Sequence, residues 1–110
     1  MINEEKLQKA LTYLAETDVP CAKARGLLAG FERQEKTIKA IAFLDSTGTK
    51  LTMAEREAMA YSSPAYREHT QKIADATTDY EIMRNRRLTA ELIVEVWRSM
   101  NANRRHGNVQ

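Results

Sequence analysis

The stretch PAYREHTQKIADATTDYEIMRNRRLTAELIVEVWRSMNANRR, residues 64–105, decides the fold. After Pro64 it contains neither proline nor glycine, so nothing inside it interrupts a helix. Ser63 suits an N-cap, and Pro64 falls on the first helical position, where a missing N–H costs nothing. Tyr66, Ile73, Ala76, Tyr80, Met83, Ala90, Ile93, Val94, Trp97 and Met100 recur along one side of such a helix. At the helical rise the rod is about 60 Å long. It cannot bury its stripe against itself, so the rest of the chain or a second copy has to cover it.

Composition agrees with an all-helical protein. Of 110 residues, 43% are apolar and 29% charged, with only four glycines and two prolines. The length fits one domain with a modest core. A single cysteine, Cys21, allows no internal disulfide and suits a reducing compartment. Glu4, Glu5, Lys6 and Lys9 do not read as a signal peptide, and no apolar run has the roughly 20 residues of a membrane span. The expected location is therefore cytoplasmic, away from membranes.

Working outward from residue 64, Ser62 and Ser63 separate the long helix from a short one over about 53–61. That helix begins with a capping box, Thr52 at the cap and Glu55 three residues on. Asp45 to Lys50 reads as a loop, with Gly48 at its turn. Upstream lies a helix over about 20–44, with Ala24, Leu27, Leu28, Phe31, Ile38, Ile41, Ala42 and Leu44 as its apolar positions. Ala22, Gly26 and Gly30 stand four apart in it, a spacing that predicts close approach of another helix. The first helix, about 4–16, is capped by Asn3 and stops before Pro20, which disfavours helical backbone at Val19. Asp18 is then a cap for the second helix. The expected architecture is all-α: a long helical hairpin with two short additional helices, coiled-coil-like packing, and a flexible tail over 106–110.

The segment from Arg84 to Met100 is apolar on more than one side, which a single partner helix does not cover. Leu88, Leu92, Ile93, Val96, Trp97 and Met100 are accordingly the candidate oligomer interface, with Trp97 expected in a packed setting. The alternative within one chain is that the first helix folds over this segment.

Catalytic chemistry finds no foothold. Cys21 has no histidine near it in sequence, and His69 and His106 are isolated. Asp75 and Asp79 form an i,i+4 carboxylate pair without a histidine partner, which reads as solvated surface rather than a metal site. No catalytic residue, metal ligand or cofactor is expected. Charge is more informative. Residues 51–83 carry six acidic groups against three basic ones, whereas residues 84–110 carry Arg84, Arg86, Arg87, Arg98, Arg104 and Arg105 against Glu91 and Glu95. Arginine forks suit phosphate or carboxylate, so these six are candidate nucleic-acid contacts. Two other readings compete: a charged helix face with Arg87 paired to Glu91, and pairing with acidic groups of a second copy.

Residues 89–108, TAELIVEVWRSMNANRRHGN, resemble the C-terminal end of small helical proteins encoded by tailed phages and prophages. Residues 36–40, KTIKA, residues 54–61, AEREAMAY, and residues 64–66, PAY, resemble the same group. The resemblance implies a bacterial cytoplasmic accessory role, in recombination or replication gene clusters, acting on DNA or RNA or on a DNA-handling protein. It carries over no catalytic residues. The function expected is thus a non-enzymatic, oligomeric helical module that contacts nucleic acid through its arginines, or else a protein–protein adaptor or assembly subunit without that contact.

Overall fold

Among the described residues of the computed structural model there are three helices: α1 Glu4–Asp45, α2 Met53–Ser62 and α3 Pro64–Val109. The structure describes residues 2–46 and 50–109, with side chains up to residue 105, and no strand occurs among them. The all-α class follows. Gly48, expected at a turn, lies outside the described residues, as do Gln110 and the side chains of the C-terminal tail.

The helix starts follow local chemistry. Asn3 Oδ1 accepts the Lys6 amide at 2.8 Å and caps α1. Thr52 Oγ1 accepts the Glu55 amide at 3.1 Å and caps α2. Ser63 serves two helices. Its amide donates to Ala60 O at 3.3 Å, closing α2, and its Oγ accepts the Tyr66 amide at 3.2 Å, opening α3. One extended residue, φ −62° and ψ 145°, therefore separates α2 from α3.

Three sequence expectations are corrected. The break before Pro20 does not occur: α1 runs through it, so one short helix exists rather than two. An interior proline removes a backbone donor and crowds the preceding turn, at a cost of about 3 kcal/mol. The carbonyl left without its amide donor is that of Glu16, and the side-chain bonds nearby brace the turn before it rather than replace that bond. Thr17 Oγ1 donates to Tyr13 O at 2.6 Å, and Arg87 of α3 donates to Leu14 O at 2.8 Å. Second, α3 continues past the stop expected near Arg105 to Val109, because a glycine at 107 weakens a helix without forbidding it. Third, the Ala22–Gly26–Gly30 stripe marks no close approach, since a Cβ at Gly26 or Gly30 would meet nothing within 4 Å. Each glycine then carries its entropic cost without a packing return. Gly26→Ala and Gly30→Ala should each raise stability by about 0.5–1 kcal/mol, read as a higher urea midpoint with an unchanged slope.

The chain divides into two compact units, Met1–Lys23 with Glu81–Gln110, and Ala24–Tyr80. In the first, Leu14, Thr17 and Asp18 meet Arg87, while Ala10 and Tyr13 share a hollow with Ala90 and Ile93. In the second, Phe31 meets His69, Glu35 meets Tyr66, and Lys39 meets Tyr61 of α2. Early α1 residues pair with late partners in both, so the helices are antiparallel within each unit. Among the described residues the buried apolar positions are alanines: Ala10 and Ala90 in the first unit, Ala60 and Ala76 in the second. Small side chains at the line of contact let helices approach closely, and two helices in contact bury only one stripe each. Larger apolar side chains flank that line and stay partly exposed, Trp97 among them.

Candidate docking surface

The first unit answers what covers the apolar segment of α3. α1 covers one side: Ala90 is only 5% exposed, and Ile93, Val94, Trp97 and Met100 are half-buried around it. The opposite side is open. Leu88 and Leu92 each lie two residues from Ala90, about 200° around the helix. They are 49% and 63% exposed, and Val96, one turn further on, is 38% exposed. The six residues expected at an interface therefore separate into two sets. Ile93, Trp97 and Met100 belong with the α1-facing side, whereas Leu88, Leu92 and Val96 form a bare apolar stripe.

The arginines separate as well. Arg87, 18% exposed at its side chain, is turned inward. It donates to Leu14 O at 2.8 Å and Thr17 Oγ1 at 2.7 Å, and its Nη2 lies 3.6 Å from Asp18 Oδ1. Its partner is thus α1 rather than Glu91 or a phosphate. Arg84 pairs with Glu81 at 3.4 Å and Arg98 with Glu95 at 3.5 Å, both as exposed i,i+3 pairs. Pairs of this kind are worth a few tenths of a kcal/mol and exchange partners readily. Arg86, Arg104 and Arg105 are exposed. Arg86 borders the shallow hollow that Lys6, Lys9, Tyr13 and Ile93 also line. By helical register Arg86 and Arg104 share one flank of α3, while Arg87, Arg98 and Arg105 share the other. The six do not form one basic face.

The second unit holds the polar contacts that sequence reasoning missed. His69 is 3% exposed; its Nε2–H donates to Phe31 O at 2.6 Å, and its ring meets Phe31 edge-on at 5.9 Å. Its burial fits a residue one turn from Ile73 that reads as a flank of the apolar stripe, whereas the bond to the facing helix carries no sequence signal. Arg56 of α2 closes the C-terminal end of α1. Its Nε donates to Ser46 Oγ at 3.2 Å, its Nη2 reaches Phe43 O at 3.5 Å, and the guanidinium lies 4.4 Å from the Phe43 ring centre. The Phe43 carbonyl already accepts from the Ser46 amide and hydroxyl, and a cation beside it complements the negative end of the helix dipole.

A small polar cluster links α1, α2 and α3 in this unit. Lys39 donates to the Tyr61 hydroxyl and lies 3.3 Å from Glu57 Oε1. Tyr66 donates to Glu35 Oε1 at 3.0 Å, and its ring meets Tyr61 at 5.4 Å. The bond to Glu35 holds the Tyr66 hydroxyl above the ordinary tyrosine value of 10.0, with desolvation in the same direction. The Tyr61 hydroxyl, then Glu57, holds Lys39 above 10.5 against a partial desolvation. Both groups are favoured in their protonated forms by folding. Their contribution is complete below the ordinary values and is lost as pH rises through the raised ones. Stability should therefore decline above about pH 10. A phenolate titration should show a tyrosine ionising later than the ordinary value, and that component should be absent from Tyr66→Phe.

Among the described residues no group of three histidine, cysteine or carboxylate side chains is placed to hold a metal. Asp75 and Asp79 are both exposed, and Asp75 accepts from Gln71 at 2.9 Å. No helix among them is long and apolar enough to cross a membrane. No protein family, curated protein or solved structure matches this chain.

Proposed function

We propose that this chain is a non-enzymatic helical module that works by docking protein onto the exposed face of α3, as an oligomeric accessory protein of the phage and prophage kind in a bacterial cytoplasm. One observation carries the reading. Leu88, Leu92 and Val96 form a continuous apolar stripe on a helix whose other side α1 already occupies. Large apolar side chains in register on one face mark interaction surfaces, whereas isolated ones are ordinary.

A second reading, contact with nucleic acid, is supported by the exposed Arg86, Arg104 and Arg105. With Arg87 turned inward and the others divided between two flanks, it is the weaker one. Titration of labelled single- and double-stranded DNA at about 50 mM salt separates the two, because electrostatic binding is strong there and falls steeply as salt rises. The docking reading expects a particle of at least two chains by light scattering and no salt-dependent binding of DNA. Salt-dependent binding, lost on reversing Arg104 and Arg105 to glutamate, would establish the nucleic-acid reading. A single-chain mass without DNA binding would refute both as functions of this chain acting alone.

A further inference from the structure

The exposed face of α3 also carries a charge pattern that identifies what docks on it. Before Leu88 stand Glu81 and Arg84, bonded to each other at 3.4 Å; after Leu92 stand Glu95 and Arg98, bonded at 3.5 Å. Read along the helix, the leucines are flanked in order by Glu81, Arg84, Glu91, Glu95 and Arg98, with Arg98 furthest round on the flank. The four side chains of the two pairs are largely exposed, with side-chain accessibilities from 46% to 72%, so none is committed to the interior.

Turning this segment end for end about the level between Thr89 and Ala90 brings Glu81 level with Arg98 and Arg84 level with Glu95. Leu88 comes within one residue of Leu92. Four of the five charges are thus complementary to the reversed copy, and the fifth, exposed Glu91, falls near its own counterpart at the centre. A parallel pairing in register does the opposite, setting Glu81 on Glu81, Arg84 on Arg84, Glu95 on Glu95 and Arg98 on Arg98. Flanking charges select helix orientation in this way, and like charges opposite each other are unfavourable.

We infer that the occupant of this face is a second copy of the chain, bound antiparallel, α3 on α3, with the leucines at the centre and four intermolecular ion pairs at the ends. The inference rests on the docking reading above and adds the direction and register of the pairing. The arrangement is a closed two-fold contact: each copy offers the same patch, and Glu81 of one reaches Arg98 of the other twice over. The intrahelical pairs exchange partners on association rather than being stripped of them, so little uncompensated charge is buried.

Glu81 and Arg98 make the test clean, because along one helix they are about 25 Å apart and do not interact. Any energetic coupling between them passes through a second chain. Dimer dissociation is measured by sedimentation velocity across a dilution series, with circular dichroism as the check on folding. Glu81→Arg and Arg98→Glu should each weaken the dimer about tenfold, since each sets two like-charge contacts across the interface. The double variant should return to within about threefold of wild type. A wild-type dimer whose double variant is no tighter than the singles, or whose singles have no effect, would overturn the antiparallel register and leave docking on α3 standing. A wild type that stays monomeric at about 100 μM, far above the range of specific complexes, would overturn the docking reading together with this inference.

Discussion

His69→Ala is expected to lower the unfolding free energy by about 3 kcal/mol, one of the two largest single-residue effects in the protein. The ring is almost wholly enclosed, lies edge-on to Phe31, and bonds to a carbonyl of the facing helix. Truncation removes all three contributions at a position where the surrounding alanine-lined contact has few large side chains to collapse inward. His69→Phe keeps most of the ring volume and the aromatic edge and loses the N–H bond, so it should cost nearer 1 kcal/mol. Urea unfolding followed by far-ultraviolet circular dichroism measures both. Equal losses for the two variants would mean that the hydrogen bond, rather than the packing, holds this site.

The second large effect centres on Arg87. Its guanidinium reaches a carbonyl, a hydroxyl and a carboxylate in the turn of α1 that precedes Pro20. Hydrogen bonds from a charged, partly buried donor are worth more than neutral ones, so Arg87→Ala should cost about 2–3 kcal/mol. Arg87→Lys should recover little, because a single ammonium cannot reproduce the fork. The exposed Arg86→Ala and Arg104→Ala should stay within about 0.5 kcal/mol of wild type. Pro20→Ala works in the opposite direction: it returns a backbone donor to α1 and removes a clash, and should stabilise by about 1–3 kcal/mol. The same unfolding measurement reads all of these. A neutral Arg87→Ala would show that these three contacts add nothing to the hold of α3 on α1.

These effects also show which parts of the structure were legible beforehand. Helix starts were, because Asn3, Thr52 and Ser63 satisfy orphan amides within three residues of themselves and the signal is local. The class was legible too, since apolar spacing of three and four needs no knowledge of partners. Pro20 breaks the local rule because an interior proline weakens a helix without forbidding it, and the packing of α1 against α3 on either side, Arg87 on Leu14 O included, comes from residues distant in sequence. The glycines were misread for the converse reason. Their spacing suggests a contact, and only the placement of the other helices reveals open space around Gly26 and Gly30. The six arginines looked alike as a composition. What separates them is helical register, which turns Arg87 onto α1, and their short-range partners, which engage Arg84 and Arg98.

The surplus of apolar residues near Leu88 was legible as a surplus, yet its division was not. Either self-association or cover by the first helix would have met the burial requirement. α1 covers the side centred on Ala90 and leaves Leu88, Leu92 and Val96 bare, so the first helix supplies half of the answer. The remainder is the docking face proposed above.

That face is tested most directly by sedimentation equilibrium of the wild type beside Leu92→Glu, over about 1–100 μM. Leu92 is the most exposed of the three stripe residues, so a glutamate there adds no buried charge to the monomer and should leave the helical signal intact. A wild-type mass of two chains or more is expected, falling to one chain in the variant. Equal masses for the two proteins, whether both single-chain or both larger, would contradict it.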